Sequence, residues 1–173
     1  MKTMLKAIAD RASVRAYQPD PVPEEDLQTI LEAALHAPSA NNARPWHVLV
    51  VHDEVRRQQL SQVHQWAGFC AQSPVVLVFC AEESRSPHWW IEDLSAAVEN
   101  ALIQAVDLGL GTCWVGIRGG GPGHPLRAEE HVRHVCGLPA GIRVLALVSL
   151  GYPKNPPHPL PPGPMTNVHH DSW

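Results

Sequence analysis

The sequence predicts an α+β domain, and three observations carry that prediction. Short apolar runs ("WHVLVV", "PVVLVFC", "TCWVGI", "IRVLALVSLGY") read as strands, and they alternate with segments whose apolar residues recur at helical spacing. No internal repeat or linker divides the 173 residues, so the chain reads as a single domain, 1–173, large enough to bury a substantial core. Seven of the 17 prolines lie between Pro153 and Pro164. Proline has no amide donor and a fixed φ, so residues 153–173 can be neither helix nor central strand and form an extended arm or tail.

Taken in order, Thr3 can cap a short helix through Ala9. In "PVPEEDLQTILEAALHA", Pro23 suits a first helical turn and Glu24, Glu25 and Asp26 suit the positive end of the helix dipole. Leu27, Ile30, Leu31, Ala34 and Leu35 give that helix one buried face. A strand at 46–51, a weaker helix at 53–66 and a buried strand at 74–80 follow. The longest helix runs from about Trp89 to Leu108, and its apolar stripe is wider than one sheet face needs, which points to contact on a second side such as a partner subunit. Gly109 suits its C-terminal cap. Strands at 112–117 and 142–152, separated by a helix near 127–136, complete a sheet of about four strands flanked by helices.

Composition excludes several function classes. A formal net charge of −4 gives no electrostatic footprint for nucleic acid or an anionic membrane. The four cysteines form no C-x-x-C pair and sit mostly in apolar runs, the pattern of a reducing compartment. "MKTMLKAIAD" lacks the apolar core of a signal peptide, and no run reaches the roughly 18 apolar residues of a membrane span. A cytoplasmic protein is expected. Eleven histidines raise a metal site, but His131 and His134 lie one helical turn apart without a third ligand at metal spacing, so no metal is expected.

Three stretches carry possible chemistry. Arg11, Ser13 and Arg15 follow a helix at alternate positions, so an extended backbone would turn two guanidiniums and a hydroxyl to one side, a set of donors suited to phosphate. A solvated basic face is the plain alternative. "APSANNARPW" places Ser39, Asn41 and Asn42 in a loop ahead of a strand, where they either bind a ligand or satisfy turn backbone. In "LGLGTCWVGIRGGGPG", Gly116 ends a strand where a ligand ring could approach backbone amides, and Gly119 to Gly123 would form a mobile loop. The spacing is neither a dinucleotide fingerprint nor a Walker A loop.

The ordered set Arg11-Ser13-Arg15-Tyr17, Pro38-Ser39-Asn42-Pro45-Trp46, Asp93-Ala97-Asn100, Leu108 to Gly116 and Leu150 to Pro153 resembles the nitroreductase family of FMN-dependent oxidoreductases over nearly the whole chain, at the spacing of its short members. The resemblance implies a central, mostly antiparallel sheet of about four to five strands and a homodimer that exchanges its C-terminal arms and binds FMN at the subunit interface. It implies that Arg11, Ala12 and Ser13 bind the flavin phosphate and that Arg15 reaches the ring edge near N1 and O2. Pro38, Ser39, Ala40 and Asn42 would reach the flavin of the other subunit. Trp114, Val115 and Gly116 would lie along the ring, with a backbone amide near Gly116 donating to N5. The implied reaction is ping-pong: NAD(P)H gives a hydride to flavin N5, and an electrophilic acceptor, such as a nitroaromatic, quinone or enone, then takes it. The cofactor carries this chemistry, so no catalytic side chain is required. A flavin-binding protein of the same fold with a different or lost reaction is the alternative.

Some residues depart from the family pattern. Many relatives carry an arm cation that completes the phosphate site, but no Lys or Arg follows Lys154 here: either Lys154 substitutes, or the phosphate has fewer cations and FMN binds more weakly. Ala43 and Arg44 stand where relatives often carry glutamines, and Arg44 could serve the flavin, a substrate carboxylate or only the surface. Trp66, Trp89 and Trp90, in "HQWAGF" and "RSPHWW", could stack on an aromatic substrate or pack into a core or interface.

Overall fold

The computed structural model describes residues 4–118 and 125–173. The elements run α1 (Lys6–Asp10), α2 (Glu24–Leu35), β1 (Trp46–Val51), α3 (Glu54–Leu60), β2 (Val75–Glu82), α4 (Trp90–Asp107), β3 (Gly111–Gly116), α5 (Pro125–Cys136) and β4 (Ile142–Gly151). Short 3-10 turns fall at Ala40–Asn42, Gly68–Ala71, Glu83–Arg85 and Met165–Asn167. The four strands form one antiparallel sheet in the order β1-β2-β4-β3, the α+β class that the sequence predicts.

The apolar run of β2 is uninterrupted because both of its faces are covered. Val75, Leu77, Phe79 and Ala81 join the core built with α2 and α4, whereas Val76, Val78 and Cys80 join a second core with Leu60 of α3 and Val132 of α5. Burying one such side chain contributes about 1.5–3 kcal/mol, so this strand anchors both layers. Its pairing with β4 slips between Phe79 and Cys80, which face Ala146 and Val144 and leave Leu145 as a bulge. The Leu145 carbonyl receives the amides of Ile117 and Arg118 at 3.1 and 3.3 Å, which ends β3.

The helices differ from expectation in three places. Helix α1 begins at Lys6 with no side-chain cap, and Thr3, the expected cap, lies outside the described residues. Helix α3 starts under an Asp53 cap that accepts the Arg56 amide at 2.8 Å and stops at Leu60, not near 66: the chain turns off the helix there, with Val63 and Ala67 still packed on the second core and Trp66 left exposed. The wide stripe of α4 is met within the chain, since α2 packs along its second side. Its C-terminus is a Schellman motif, with Gly109 at φ +77°, the Leu110 amide on Ala105 and the Gly109 amide on Val106.

The segment before α2 is fastened to the sheet rather than loose. Ser13 bridges Thr112 in parallel and Tyr17 bridges Pro153 in antiparallel fashion. The buried Tyr17 hydroxyl donates to the Val14 carbonyl and pairs with Ser149 Oγ, each at 2.6 Å. Gly111 and Gly151 are paired across β3 and β4 to make room for this layer. A Cβ on Gly111 would meet Val14 at 2.7 Å, and one on Gly151 would meet Pro74 at 2.5 Å. From Lys154 onward every residue is exposed. Gly151→Ala is therefore expected to lower the urea-unfolding free energy by about 1–3 kcal/mol, whereas Gly163→Ala, with open space around it, stays within about 0.5 kcal/mol of wild type.

Candidate functional site

The outer edge of β3 is where the first group of candidate residues gathers. The Val14 amide donates to the Thr112 carbonyl at 2.8 Å, so Thr112 faces away from β4, while Ile117 bonds into β4. Strand alternation then turns the amides of Trp114 and Gly116 away from β4 as well. Gly116 is exposed, and among the described residues nothing lies within 4 Å of the place a Cβ would take, so a flat ligand has room against the backbone there. Trp114 is half-buried against the α4 layer, and Val115 is buried in the opposite one.

Beside this edge, Ser13 and Arg15 are exposed and the intervening Val14 is buried, so the hydroxyl and guanidinium share an outward side. The Arg15 guanidinium carbon lies 5.9 Å from the Phe69 ring centroid, at the outer limit of a cation–π contact. Arg11 Nε lies 3.8 Å from Glu99 of α4 in a half-exposed pair. Such pairs are worth less than about 1 kcal/mol, so an incoming phosphate could displace the carboxylate. Ala12 does not join Ser13 and Arg15. With Val14 it lines a cavity of about 360 Å³ bounded also by Gly111 and by Pro157 and Pro159 of the arm. The Lys154 amide donates to the Ala16 carbonyl at 2.9 Å, which sets Lys154 next to Arg15's neighbour.

Behind the edge, burial raises the Cys113 thiol, with Arg15, Ser13 and Arg11 pulling it the other way. Burial pushes Cys70 and Cys80 up to about 12 and Cys136 up to about 11. All four remain thiols near neutral pH, so none is an activated nucleophile. What this edge offers is hydrogen-bond donors and positive charge, which bind and polarise a group that brings its own reactivity.

Pro38, Ser39, Ala40 and Asn42 lie elsewhere. Their loop leads into β1, at the opposite edge of the sheet from β3. Three inter-strand spacings, about 14 Å, separate the two edges, and one chain does not bring the two groups together. The loop holds three non-glycine residues in the left-handed region: Asn41 (φ 51°), Asn42 (φ 54°) and Arg44 (φ 47°). Ser39 Oγ accepts the Arg44 amide at 2.9 Å, and the Ala40 amide donates to Asp93 Oδ1 at 2.8 Å. Arg44 turns its guanidinium back to the Leu35 carbonyl at 3.0 Å and over the Trp46 ring, so it braces the loop. Asn41 and Asn42 are exposed.

The tryptophans divide. Trp90 is buried with Arg143 stacked 5.0 Å from its ring centroid, so it is core, while Trp66 and Trp89 are 58 % and 54 % exposed. His131 Nε2 bonds to the Gln59 carbonyl. Among the described residues no three His, Cys, Asp or Glu side chains form a metal-sized group, and no helix is long and apolar enough to cross a membrane. Gly119 to Gly123 lie outside the described residues. Sequence reasoning assigned no individual role to Phe69 or to the carboxylate of Asp93. The motif Asp93-Ala97-Asn100 marked the position of the second but not its bond to the loop.

The model of the nitroreductase family matches residues 8–67 and 57–152. An Archaeoglobus fulgidus protein with the provisional name NADH dehydrogenase/NAD(P)H nitroreductase is 36% identical over 159 residues, covering 90% of this chain and 88% of its own. The Bacillus subtilis FMN reductase [NAD(P)H] is 28% identical over 190 residues, covering 98% of this chain and 74% of its own. Among solved structures, an FMN-dependent nitroreductase from Clostridium difficile R20291 superposes with a TM-score of 0.92 at 30% identity, covering 98% of this chain and 100% of that one. From the burial of the thiols we expect Cys70 and Cys80 to resist iodoacetamide at pH 8 in the folded protein and to alkylate on denaturation, as read by peptide mass spectrometry.

Proposed function

The chain belongs to the nitroreductase family, and from that premise we propose that it is an FMN-dependent oxidoreductase that uses NADH or NADPH to reduce an electrophilic acceptor such as a nitroaromatic, quinone or enone. The observation that carries this reading is the outer β3 edge: two outward amides at Trp114 and Gly116, open space at Gly116 among the described residues, and the donors of Ser13 and Arg15 alongside. Those residues suit a planar ring with a phosphate tail, and no side chain has to be chemically reactive. When bound, FMN would supply the hydride-carrying chemistry.

In this reading Arg11 and Ser13 hold the phosphate, and Ala12 contributes through the same segment. Arg15, steadied by Phe69, places positive charge at the ring edge, where it favours the anionic reduced state. The Gly116 amide donates toward the ring, with Trp114 and Val115 fixing the strand that presents it. Lys154, at the start of the arm, adds a cation beside the phosphate. We further propose a single domain, 1–173, that works as a homodimer. Support comes from the separation of the two groups: Pro38, Ser39, Ala40 and Asn42 stand at the far edge of their own sheet and meet a ring only across a second chain. The arm 153–173 carries exposed Leu160, Met165, Val168 and Trp173, apolar surface that a partner would cover.

The purified protein should carry visible flavin absorbance that NADH or NADPH bleaches anaerobically. Arg11→Ala and Ser13→Ala should each weaken FMN by about tenfold or more, the scale of one charge-assisted hydrogen bond. Wild-type affinity in both would reject the phosphate assignment. Deleting residues 155–173 should shift the protein from dimer toward monomer in sedimentation at micromolar concentration.

A further inference from the structure

The carboxylate of Asp93 is buried, at 4 % exposure, near the start of α4. A buried charge persists only where donors compensate its lost hydration. Both donors come from outside the helix: the Ala40 amide on Oδ1 at 2.8 Å and the Ser86 hydroxyl on Oδ2 at 2.7 Å. Asp93 thereby ties together α4, the turn that precedes it and the loop that precedes β1.

What it holds is a loop under strain. Asn41, Asn42 and Arg44 are all left-handed without a glycine among them, and non-glycine residues pay for that conformation even where asparagine pays less. Such backbone survives only where its surroundings over-determine it, and such places cluster at ligand clamps. Two of the other ties, Ser39 to Arg44 and Arg44 to Leu35, are formed by exposed or half-exposed groups. The Asp93–Ala40 bond is the one that fastens the loop to a fully packed helix. That same helix carries Glu99, the partner of Arg11, so one rigid element bears a tie to each group of site residues.

We propose that Asp93 is a positioning residue: through the Ala40 amide it presents Ser39 and Asn42 to the cofactor held by the other chain. This rests on the reading that the 38–42 loop contacts FMN. The test compares Asp93→Ala, Asp93→Asn, Asn42→Ala and Glu129→Gln in the full-length holoprotein. FMN affinity is read by equilibrium dialysis and the Ala40 amide by hydrogen exchange. Glu129 is the control, because its carboxylate binds Arg143 and the Val144 amide and not the loop.

Asp93→Ala should weaken FMN about tenfold and speed Ala40 exchange. Asp93→Asn, whose Oδ1 can still accept from Ala40, should recover most of both. Glu129→Gln should leave FMN affinity within about twofold of wild type. If Asp93→Ala leaves affinity unchanged while Asn42→Ala lowers it, the loop reading stands and the role of Asp93 falls. If neither changes it, the loop reading fails and this inference with it. Should Asp93→Ala not fold, Ser86→Ala, which removes the hydroxyl that holds Oδ2 and leaves the loop's own residues unchanged, is read by the same two measurements: weaker FMN with faster Ala40 exchange supports the role of Asp93, and no change in either overturns it.

Discussion

The constraint on which the rest of the molecule depends is that β2 is apolar on both faces. Such a strand cannot lie at a surface, so helices must cover it from two sides, and the chain supplies α2 with α4 on one and α3 with α5 on the other. Two strands must also flank it, and β1 and β4 do so in antiparallel register. Strand β3 is then left at the rim beyond β4. The rim that results is not a neutral surface, because one of its ends is closed by residues 13–17 and the other, among the described residues, lies open at Gly116.

From that arrangement follows a division of labour between the edges. The rim beside β3 has amides, a hydroxyl and guanidiniums; the rim beside β1 has a stiff polar loop. Neither encloses a ligand alone. Helix α4 crosses between them and touches both groups, through Glu99 at Arg11 and through Asp93 at Ala40. Positions so fixed against a packed helix keep their spacing without relying on the loops themselves.

Much of this was legible in the residues. Strong periodicity marked α2 and α4, and uninterrupted apolar runs marked the strands, to within a residue or two. Helix α3 was overextended because the pattern past Leu60 is weak and only packing decides where it ends. The outward side shared by Ser13 and Arg15 followed from alternation. Arg44 did not, since its direction depends on a left-handed backbone that no spacing rule anticipates in arginine. Asp93 was seen as part of a motif but without its work, because its partner at Ala40 is 53 positions away. The opposite placement of the two groups depends on strand order, which local pattern does not encode.

The proline content of the last twenty-one residues has an energetic meaning of its own. Fixing the backbone of an ordinary residue costs about 1–2 kcal/mol of conformational entropy, but a pyrrolidine ring has already removed one of the two soft torsions and restricts the residue before it. With seven such rings between Pro153 and Pro164, this tail gives up little freedom when it settles on a surface. It can therefore be wholly solvated in an isolated chain and still attach firmly through a handful of apolar side chains.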